Sequence, residues 1–303
     1  MKRLILLTIK TLLILGMYPC HAQSSYQDLS AQERKYYDEH IYMGQPDDSK
    51  VFVKNAFVFR YNHEQRIPVW SAYHVVPDYL NTPSRKKKYK KFRKDPEIPN
   101  AVVTSDYTGS GYARGHYVPY FVLGGDRDKD GIYSDLYDDS KDPQDDQTVF
   151  EGNMMTNIAP QDHNALNGAG GPWYALETKI RTKMIPKLKE LHLIVGGIVS
   201  DPDNYEQVMH RQSKPTGIAI PDKFYQVIIY QDPISKEHMT AAFLFPHVRE
   251  RYELPYQETL DYMVPVDSVE LLTGLNFFHE LDDTEEDAIE SETNRGFWEG
   301  FFE

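Results

Sequence analysis

The amino-acid sequence predicts one α+β domain that extends from about residue 30 to about residue 281. Three observations favour this class. Segments rich in β-branched and aromatic residues are spread along the chain, a helix with apolar residues at three- and four-residue steps lies near its middle, and no repeat or Pro/Gly-rich linker separates two units. A chain of 303 residues, 40% of them hydrophobic, can bury a core without disulfide bonds.

Strands are predicted at both ends of this domain. Residues 51–60 and 69–76 come first, and residues 224–230 and 240–245 come last. Residues 191–200 form an apolar run between charged residues, which is typical of a buried strand. These segments together predict a central sheet.

The middle of the chain is predicted to hold shorter elements. Residues 101–123 contain two short strand-like pieces around a glycine-rich turn, and an acidic loop follows at 124–148. The clearest helix begins at Pro172 and extends to about Ile185, and Pro186 is expected to kink or end it. Its apolar side chains recur at helical steps, namely Trp173, Leu176, Ile180 and Met184.

The first residues resemble an export signal. Lys2 and Arg3 precede an apolar stretch, and Ala22 stands before a cleavage position, so a secreted or periplasmic protein with no membrane segment after cleavage is expected. An uncleaved membrane anchor is the alternative. The sequence is thereby divided into a signal peptide, an N-terminal arm, one main domain and an acidic C-terminal tail, at 1–22, 23–48, 49–281 and 282–303.

Charge and cysteine content exclude several classes of protein. The formal net charge of −13 argues against a polycation that coats nucleic acid, although it leaves room for a local basic groove. Residues 85–94 carry eight positive charges in ten positions, so they form either a phosphate-tracking strip or a solvated loop. The single cysteine, Cys20, excludes a disulfide framework and a cysteine zinc site. The sequence is compatible with a homo-oligomer but does not specify one.

The first chemical motif is Arg114-Gly115-His116. In a strand, residues two apart share a face, so the guanidinium and the imidazole would point the same way. Histidine suits the role of a general base near neutral pH, and arginine matches a phosphate that gains negative charge. Taken alone, a histidine beside a glycine turn is more often structural.

The second motif combines asparagines with the helix. Glu177 and Arg181 are four residues apart on one helix face, where an ordinary surface ion pair is the alternative interpretation. Asn167 suits a turn or a helix cap, but a single amide oxygen with a nearby carboxylate also suits Mg²⁺, which keeps most of its waters. The joint occurrence of both motifs favours phosphoryl chemistry.

The stretch 92–181 resembles the DNA/RNA non-specific endonucleases, the ββα-metal (His-Me finger) group that includes endonuclease G. The resemblance rests on several blocks in the family's order, which are "FRKDP" at 92, "DY" at 106, "GY" at 111, "RGH" at 114, "TNIAPQ" at 156, "LN" at 166 and W173…LE…R181. It continues downstream with "IPDKFY" at 220 and "ELLTGL" at 270. It implies a ββα-metal fold with a mainly antiparallel sheet and flanking helices.

The resemblance also implies a role for each matching residue. His116 would deprotonate the attacking water, Asn167 would bind Mg²⁺ (or Mn²⁺), and Glu177 would hold the waters of that ion. Arg114 and Arg181 would stabilise the transition-state phosphate. Asn157 would orient the site near His116 and, with Arg85, would assist at the substrate, although the basic run leaves the alignment of Arg85 open. DNA and RNA would be the substrates, with 5′-phosphate products.

The chain departs from the family's pattern in two places. Ala113 stands where the family usually has Asp before Arg-Gly-His, which predicts weaker support of the site rather than lost activity. The segment between His116 and Asn157 carries an insert in which Asp126, Asp128, Asp130 and Gly131 occupy the spacing that opens a calcium loop. Position twelve is Tyr137 rather than Glu, so a solvated acidic loop is the alternative to a structural Ca²⁺ site.

Three functions are therefore open at this point. The leading one is an exported, metal-dependent endonuclease for DNA and RNA. A non-catalytic nucleic-acid-binding module on the same fold is the second. A phosphodiesterase for small nucleotides is the third, favoured if the negative charge of the chain repels polymers.

Overall fold

A computed structural model describes residues 25–135, 137–138, 141–249 and 258–303. The predicted signal peptide lies outside these residues. The strands described are β1 (Phe52–Val53), β2 (Val58–Asn62), β3 (Ile67–Val75), β4 (Ala113–His116), β5 (Ile158–Gln161), β6 (Leu191–Ile198), β7 (Gln207–His210), β8 (Lys214–Ala219), β9 (Lys223–Gln231), β10 (His238–Pro246) and β11 (Met263–Val264). The α-helices described are α1 (Ala31–His40), α2 (Pro143–Gly152), α3 (Pro172–Lys179), α4 (Ile185–Leu188), α5 (Val266–Thr273), α6 (Asp283–Glu290) and α7 (Arg295–Trp298).

A seven-stranded antiparallel sheet organises the molecule, in the order β1-β2-β3-β6-β9-β10-β11. The central strands are apolar on both faces because a hydrophobic cluster packs on each side, one around Trp173 and the other around Trp70. Two separate pairs, β4–β5 and β7–β8, lie outside this sheet. The predicted mainly antiparallel α+β fold is confirmed.

Four of the predicted strands are confirmed as β3, β6, β9 and β10. The segment 51–60 instead forms two strands, β1 and the start of β2, joined by a turn in which the Lys54 N–H donates to the Phe57 carbonyl at 2.9 Å. The Lys54 side chain at this turn is buried, and its ammonium pairs with Asp95 at 3.3 Å and Glu97 at 2.9 Å. In 101–123 only β4 is a strand, since the first piece contains a 3₁₀ turn at Thr104–Tyr107.

The central helix is longer than predicted, because Pro186 does not end it. After α3 the backbone widens into a π turn at Ile180–Met184 and then continues as α4 to Leu188. The widened turn places Pro186 in the first turn of α4, where the lack of an N–H costs least.

Both ends of the predicted domain are extended by ordered elements. The polar segment 23–48 contains α1, whose N-terminus is held by a capping box: Glu33 N–H donates to Ser30 Oγ at 3.3 Å and Ser30 N–H to Glu33 Oε2 at 2.8 Å. The acidic segment 282–303 is not a separate tail. Trp298 is fully buried and donates from Nε1 to the Thr240 carbonyl of β10 at 2.6 Å. The acidic composition of this segment reports its exposed positions and does not show that Trp298 is buried.

Replacing Trp298 with alanine is expected to destabilise the protein by about 3–5 kcal/mol, because a buried indole and its hydrogen bond are removed. Urea unfolding of the purified protein measures this change. Glu299→Ala, at the exposed neighbouring position, is the control and should stay within about 0.5 kcal/mol of the parent. A detachable tail would instead give the same small change for both variants.

Across the part of the chain that the structure describes, no helix combines the length and the apolar character that a membrane span needs.

Candidate active site

The site is built on the strand pair β4–β5 and on the helix α3 that follows it. Gly115 pairs with Ala159 across the two strands, and the Gln161 side chain lies directly over Gly115. A Cβ at Gly115 would come within 1.9 Å of Gln161 Oε1, so only glycine fits between Arg114 and His116. The motif is held on the main sheet by Trp173 of α3, which packs edge-on against Phe224 of β9.

A cavity of about 380 Å³ opens between these elements. Six of the seven predicted catalytic, substrate and metal residues line it, which are Arg85, Arg114, His116, Asn167, Glu177 and Arg181. Arg114 and His116 of strand β4 therefore face the same cavity, as their spacing in the sequence predicted. The residues of both sequence motifs, which lie far apart along the chain, face one space.

His116 is held by a residue that the sequence did not single out. Asn153, fully buried after α2, donates from Nδ2 to the Tyr89 carbonyl at 2.8 Å, which leaves its Oδ1 to accept from His116 Nε2 at 3.2 Å. The proton of the neutral imidazole is thus on Nε2, and Nδ1 keeps the lone pair of a base. Burial and the nearby Arg85 and Arg114 charges lower the pKa of His116 to about 3.

Three arginines give the cavity a positive wall. The guanidinium carbons of Arg85 and Arg114 lie 5.2 Å and 4.6 Å from the ring centre of Phe92, and that of Arg181 lies 4.8 Å from the ring of Phe121. Within the described ranges, none of the three forms an ion pair with a carboxylate. The aromatic rings thus position the charges and leave their N–H groups to bind an anion.

Asn167 lies in a tight loop between β5 and α3. Its Nδ2 donates to Gln161 Oε1 at 2.9 Å, so its Oδ1 is turned away from Gln161 and lies 3.3 Å from His163 Nδ1. Asp162 begins this loop by accepting from the backbone N–H groups of Asn164 and Ala165, at 2.8 and 2.7 Å. The amide oxygen of Asn167 is in this way held at the cavity.

Glu177 contributes the carboxylate of the cavity. Trp173 Nε1 donates to its Oε1 at 2.7 Å. Burial raises the pKa of Glu177 to about 8, although the Trp173 hydrogen bond and the Arg181 charge act in the opposite direction. A cation in the cavity would favour the ionised form of this side chain.

These donors fit a hard divalent ion. Asn167 offers one amide oxygen and Glu177 one carboxylate, and both face the same cavity. Mg²⁺ accepts few protein oxygens and keeps several waters, so a sparse oxygen set on an open cavity suits it. The same residues would suit Mn²⁺.

Asn157 does not join this set. It is fully buried outside the cavity, where its Oδ1 accepts from Val118 N–H at 2.9 Å and its Nδ2 donates to the carbonyls of Val118 and Gly152 at 3.0 and 2.9 Å. Both the oxygen and the nitrogen of its side-chain amide are therefore hydrogen-bonded to the backbone. Asn157 does not line the cavity with the other predicted site residues, and it ties the chain after His116 to the end of α2.

Three residues at or next to the cavity were not predicted as site residues, although Phe92 and Gln161 lie in family blocks. Asn153 and Phe92 act by contacts that only the fold creates, since they come from segments far from His116 along the chain. Gln161 is fully buried and its Nε2 has no hydrogen-bond partner among the described residues. Its position in the "TNIAPQ" block was the one signal that the sequence offered.

The pair β4–β5, followed by α3 with the asparagine loop between them, defines the ββα-metal nuclease fold. The chain belongs to the DNA/RNA non-specific endonuclease family, whose sequence profile matches residues 39–284. Members of this family are metal-dependent nucleases, hydrolases that act on nucleic acids, and the protein is accordingly a nuclease.

Individual relatives agree with this assignment. The chain is 26% identical over 249 residues to nuclease C1 of Cunninghamella echinulata var. echinulata, covering 80% of this chain and 88% of that protein. It is 26% identical over 252 residues to the mitochondrial nuclease of Saccharomyces cerevisiae, covering 80% and 69%. A crystal structure of EndoG with EndoGI has the same fold, with a TM-score of 0.61 and 21% identity over 80% of this chain and 91% of that one.

Proposed function

We propose that the protein is a magnesium-dependent endonuclease that hydrolyses DNA and RNA with His116 as the general base. The observation that carries the proposal is the single cavity in which this imidazole meets the Asn167 amide oxygen, Glu177 and three guanidinium groups. A phosphodiester fits such a cavity because its charge matches the arginines. The non-catalytic alternative offers no reason for an oriented, neutral imidazole there.

Each residue has one task in this proposal. His116 accepts the proton of the attacking water on Nδ1, while Asn153 keeps the ring in the required tautomer. Arg114 and Arg181 bind the phosphate oxygens and stabilise their growing charge. Asn167 would hold the divalent ion and Glu177 its waters, and the ion would supply Lewis acidity that stabilises the departing 3′ oxygen, so that the products carry 5′-phosphates.

The test is cleavage of three substrates by purified protein. Supercoiled plasmid, a structured RNA and a dinucleotide are incubated with Mg²⁺, with Mn²⁺ or with EDTA. The proposal expects plasmid and RNA to be cut, with 5′-phosphate ends, only when metal is present. Cleavage of the dinucleotide alone would favour the small-nucleotide phosphodiesterase, and metal-independent cleavage would reject the role of Asn167.

The basic segment 85–94 is proposed to guide the polymer to this cavity. Arg85 and Phe92, near its two ends, line the cavity itself. Lys86, Lys90 and Lys91 between them are exposed, whereas Lys88 is paired with the Asp146 carboxylate at 2.6 Å. The strip that phosphates can reach is therefore smaller than the sequence suggests.

Replacing Lys86, Lys90 and Lys91 together with alanine should flatten the salt dependence of DNA binding. Removing one lysine–phosphate interaction reduces the slope of log K against log salt by about 1, so the slope of the triple variant should fall by roughly 2 to 3. Fluorescence anisotropy with duplex DNA in EDTA measures binding without cleavage. The matched control removes three exposed lysines elsewhere, Lys35, Lys50 and Lys214, and an equal slope change in both would contradict a local strip.

Export is also proposed, from the sequence of residues 1–22 alone. The charged start, the apolar stretch and Ala22 are the supporting pattern. N-terminal sequencing of protein recovered outside the cytoplasm should begin directly after Ala22. Recovery of the intact chain in the membrane fraction would favour the uncleaved anchor.

A further inference from the structure

Five aspartates lie in the insert that separates β4 from β5, and none of them lines the nuclease cavity. Asp126, Asp128 and Asp130 each place one carboxylate oxygen within 4.8 Å of the others. Asp142 and Asp145 stand at the start of α2, next in the chain. None of the five lines the nuclease cavity, so this cluster is a separate feature.

The two aspartates at α2 are the informative ones, because each is only 2% exposed. Asp145 Oδ1 accepts from the Arg127 N–H at 2.9 Å, which fixes this carboxylate against the middle of the loop that carries Asp126 and Asp128. Asp142 Oδ1 accepts from the Asp145 N–H at 3.0 Å. The second oxygen of each is buried with no hydrogen-bond donor among the residues described.

The electrostatics of these groups call for a positive partner. Asp142 and Asp145 are two buried carboxylates joined through the Asp145 N–H, and each keeps one oxygen without a hydrogen-bond donor among the described residues. Two of the nearby cations, Arg127 and Lys141, are engaged elsewhere. The Arg127 guanidinium contacts Glu39 at 3.2 Å and stacks on a tyrosine, and Lys141 pairs with Asp135 at 3.2 Å.

The local backbone agrees with a cation loop. Gly131, at the sixth position counted from Asp126, has φ of +80°, the conformation that the sharp turn of such a loop requires. Ca²⁺ takes six to eight oxygen ligands in flexible geometry, whereas Mg²⁺ keeps most of its waters. A cluster dominated by carboxylates therefore favours calcium.

We propose that the loop 126–131 and the first turn of α2 bind one calcium ion through the carboxylates of Asp126, Asp128, Asp130, Asp142 and Asp145. The two buried aspartates take the place of the glutamate that a calcium loop usually has at its twelfth position. Tyr137, which occupies that position, is 76% exposed and takes no part.

The position of this site connects it to the nuclease cavity. Helix α2 is capped by Asp142, carries Asp145 in its first turn and ends at Gly152, directly before Asn153, which holds His116. Calcium would stabilise the N-terminal turn of α2, and the residue that follows the C-terminal end of α2 positions His116. Calcium would therefore stabilise the folded conformation of the insert and would not take part in the chemistry of the cavity.

The experiment is a calorimetric titration of calcium chloride into protein carrying Asn167→Ala, so that the nuclease cavity loses its proposed ligand. One calcium ion per chain is expected to bind. Adding Asp128→Asn or Asp145→Asn should abolish the binding, whereas Asp203→Asn, an exposed aspartate in a distant turn, should leave it unchanged. Because the titration does not depend on cleavage, its failure and the failure of the nuclease proposal are distinguishable.

Thermal unfolding and hydrogen exchange give the second readout. Millimolar calcium should raise the melting temperature of the parent by about 2–3 °C over EGTA, and should slow exchange in 143–152. In EGTA, Asp145→Asn should melt at or above the parent, because a repelled carboxylate is removed, which shows that it folds. Absence of binding and of a melting shift in the parent would overturn the proposal, as would a shift that persists in both site variants.

Discussion

Replacing His116 with alanine is expected to lower kcat/KM for plasmid cleavage by about a thousandfold. The imidazole is the base proposed for this cavity, and general-base catalysis contributes about 10²- to 10⁴-fold. The variant should stay folded with a stability loss of about 1–2 kcal/mol, because the buried Asn153 Oδ1 loses its donor while Asn153 keeps its bond to Tyr89. Gel-based cleavage rates at limiting substrate measure the effect.

Two comparisons make this result specific. His63→Ala, at an exposed histidine outside the cavity, should cleave at the parent rate. A His116→Ala variant that retained the parent kcat/KM while remaining folded would reject the proposed base.

The pH profile of the parent enzyme gives the same residue an independent test. The base must be unprotonated, and the pKa of His116 is lowered to about 3, so the reactive form exists throughout the range above that value. At saturating metal the acid limb of kcat/KM should lie well below about pH 6.5, the ordinary value for histidine. A limb at or above that ordinary value that did not move with metal concentration, as a limb set by the ionisation of Glu177 would, would show that burial and the arginine charges do not govern this imidazole.

Replacing Asn167 with alanine is expected to reduce activity at about 1 mM Mg²⁺ by about a hundredfold or more. Asn167 is the proposed direct protein ligand, and loss of groups that merely orient a ligand already costs about 10- to 100-fold in affinity or activity. Raising the metal concentration should restore part of the rate. Cleavage rates over a magnesium titration give both quantities.

Asn164→Ala is the matched control for this variant. Asn164 is exposed in the same loop, and its backbone N–H, which the substitution keeps, is the group that donates to Asp162. It should keep the parent metal requirement. Removing Asn167 also leaves Gln161 Oε1 without its donor, so a stability loss of about 1–2 kcal/mol is expected in addition. An unchanged magnesium requirement in Asn167→Ala would contradict the assignment.

Much of the sheet and most of the cavity could be predicted from local patterns. Apolar β-branched runs identified β6, β9 and β10, because strands buried on both faces leave a continuous hydrophobic record in the sequence. Most of the predicted residues that line the cavity were found from the sequence blocks that match the nuclease family in order. Spacing within a strand or helix is enough to decide which side chains share a face.

Other features of the sequence suggested a structure that differs from the one observed. The C-terminal segment was predicted as an acidic tail, yet Trp298 and Phe301 are in the core, because a helix needs only one apolar side to pack. Asn157 lies in a family block, yet it is buried and serves the backbone. Composition and block position do not tell whether a polar side chain faces a cavity or the interior.

The sequence alone determined the chemical types at the site, an imidazole, an amide, a carboxylate and several guanidiniums, and their order along the chain. The tertiary structure decided what each of them does. Asn153 fixes the tautomer of His116 from 37 positions away, and Asp145 holds a loop that precedes it in the chain by 18 positions. Such pairings depend on how whole elements pack, and a hydrogen bond between distant residues leaves no period or spacing in the sequence.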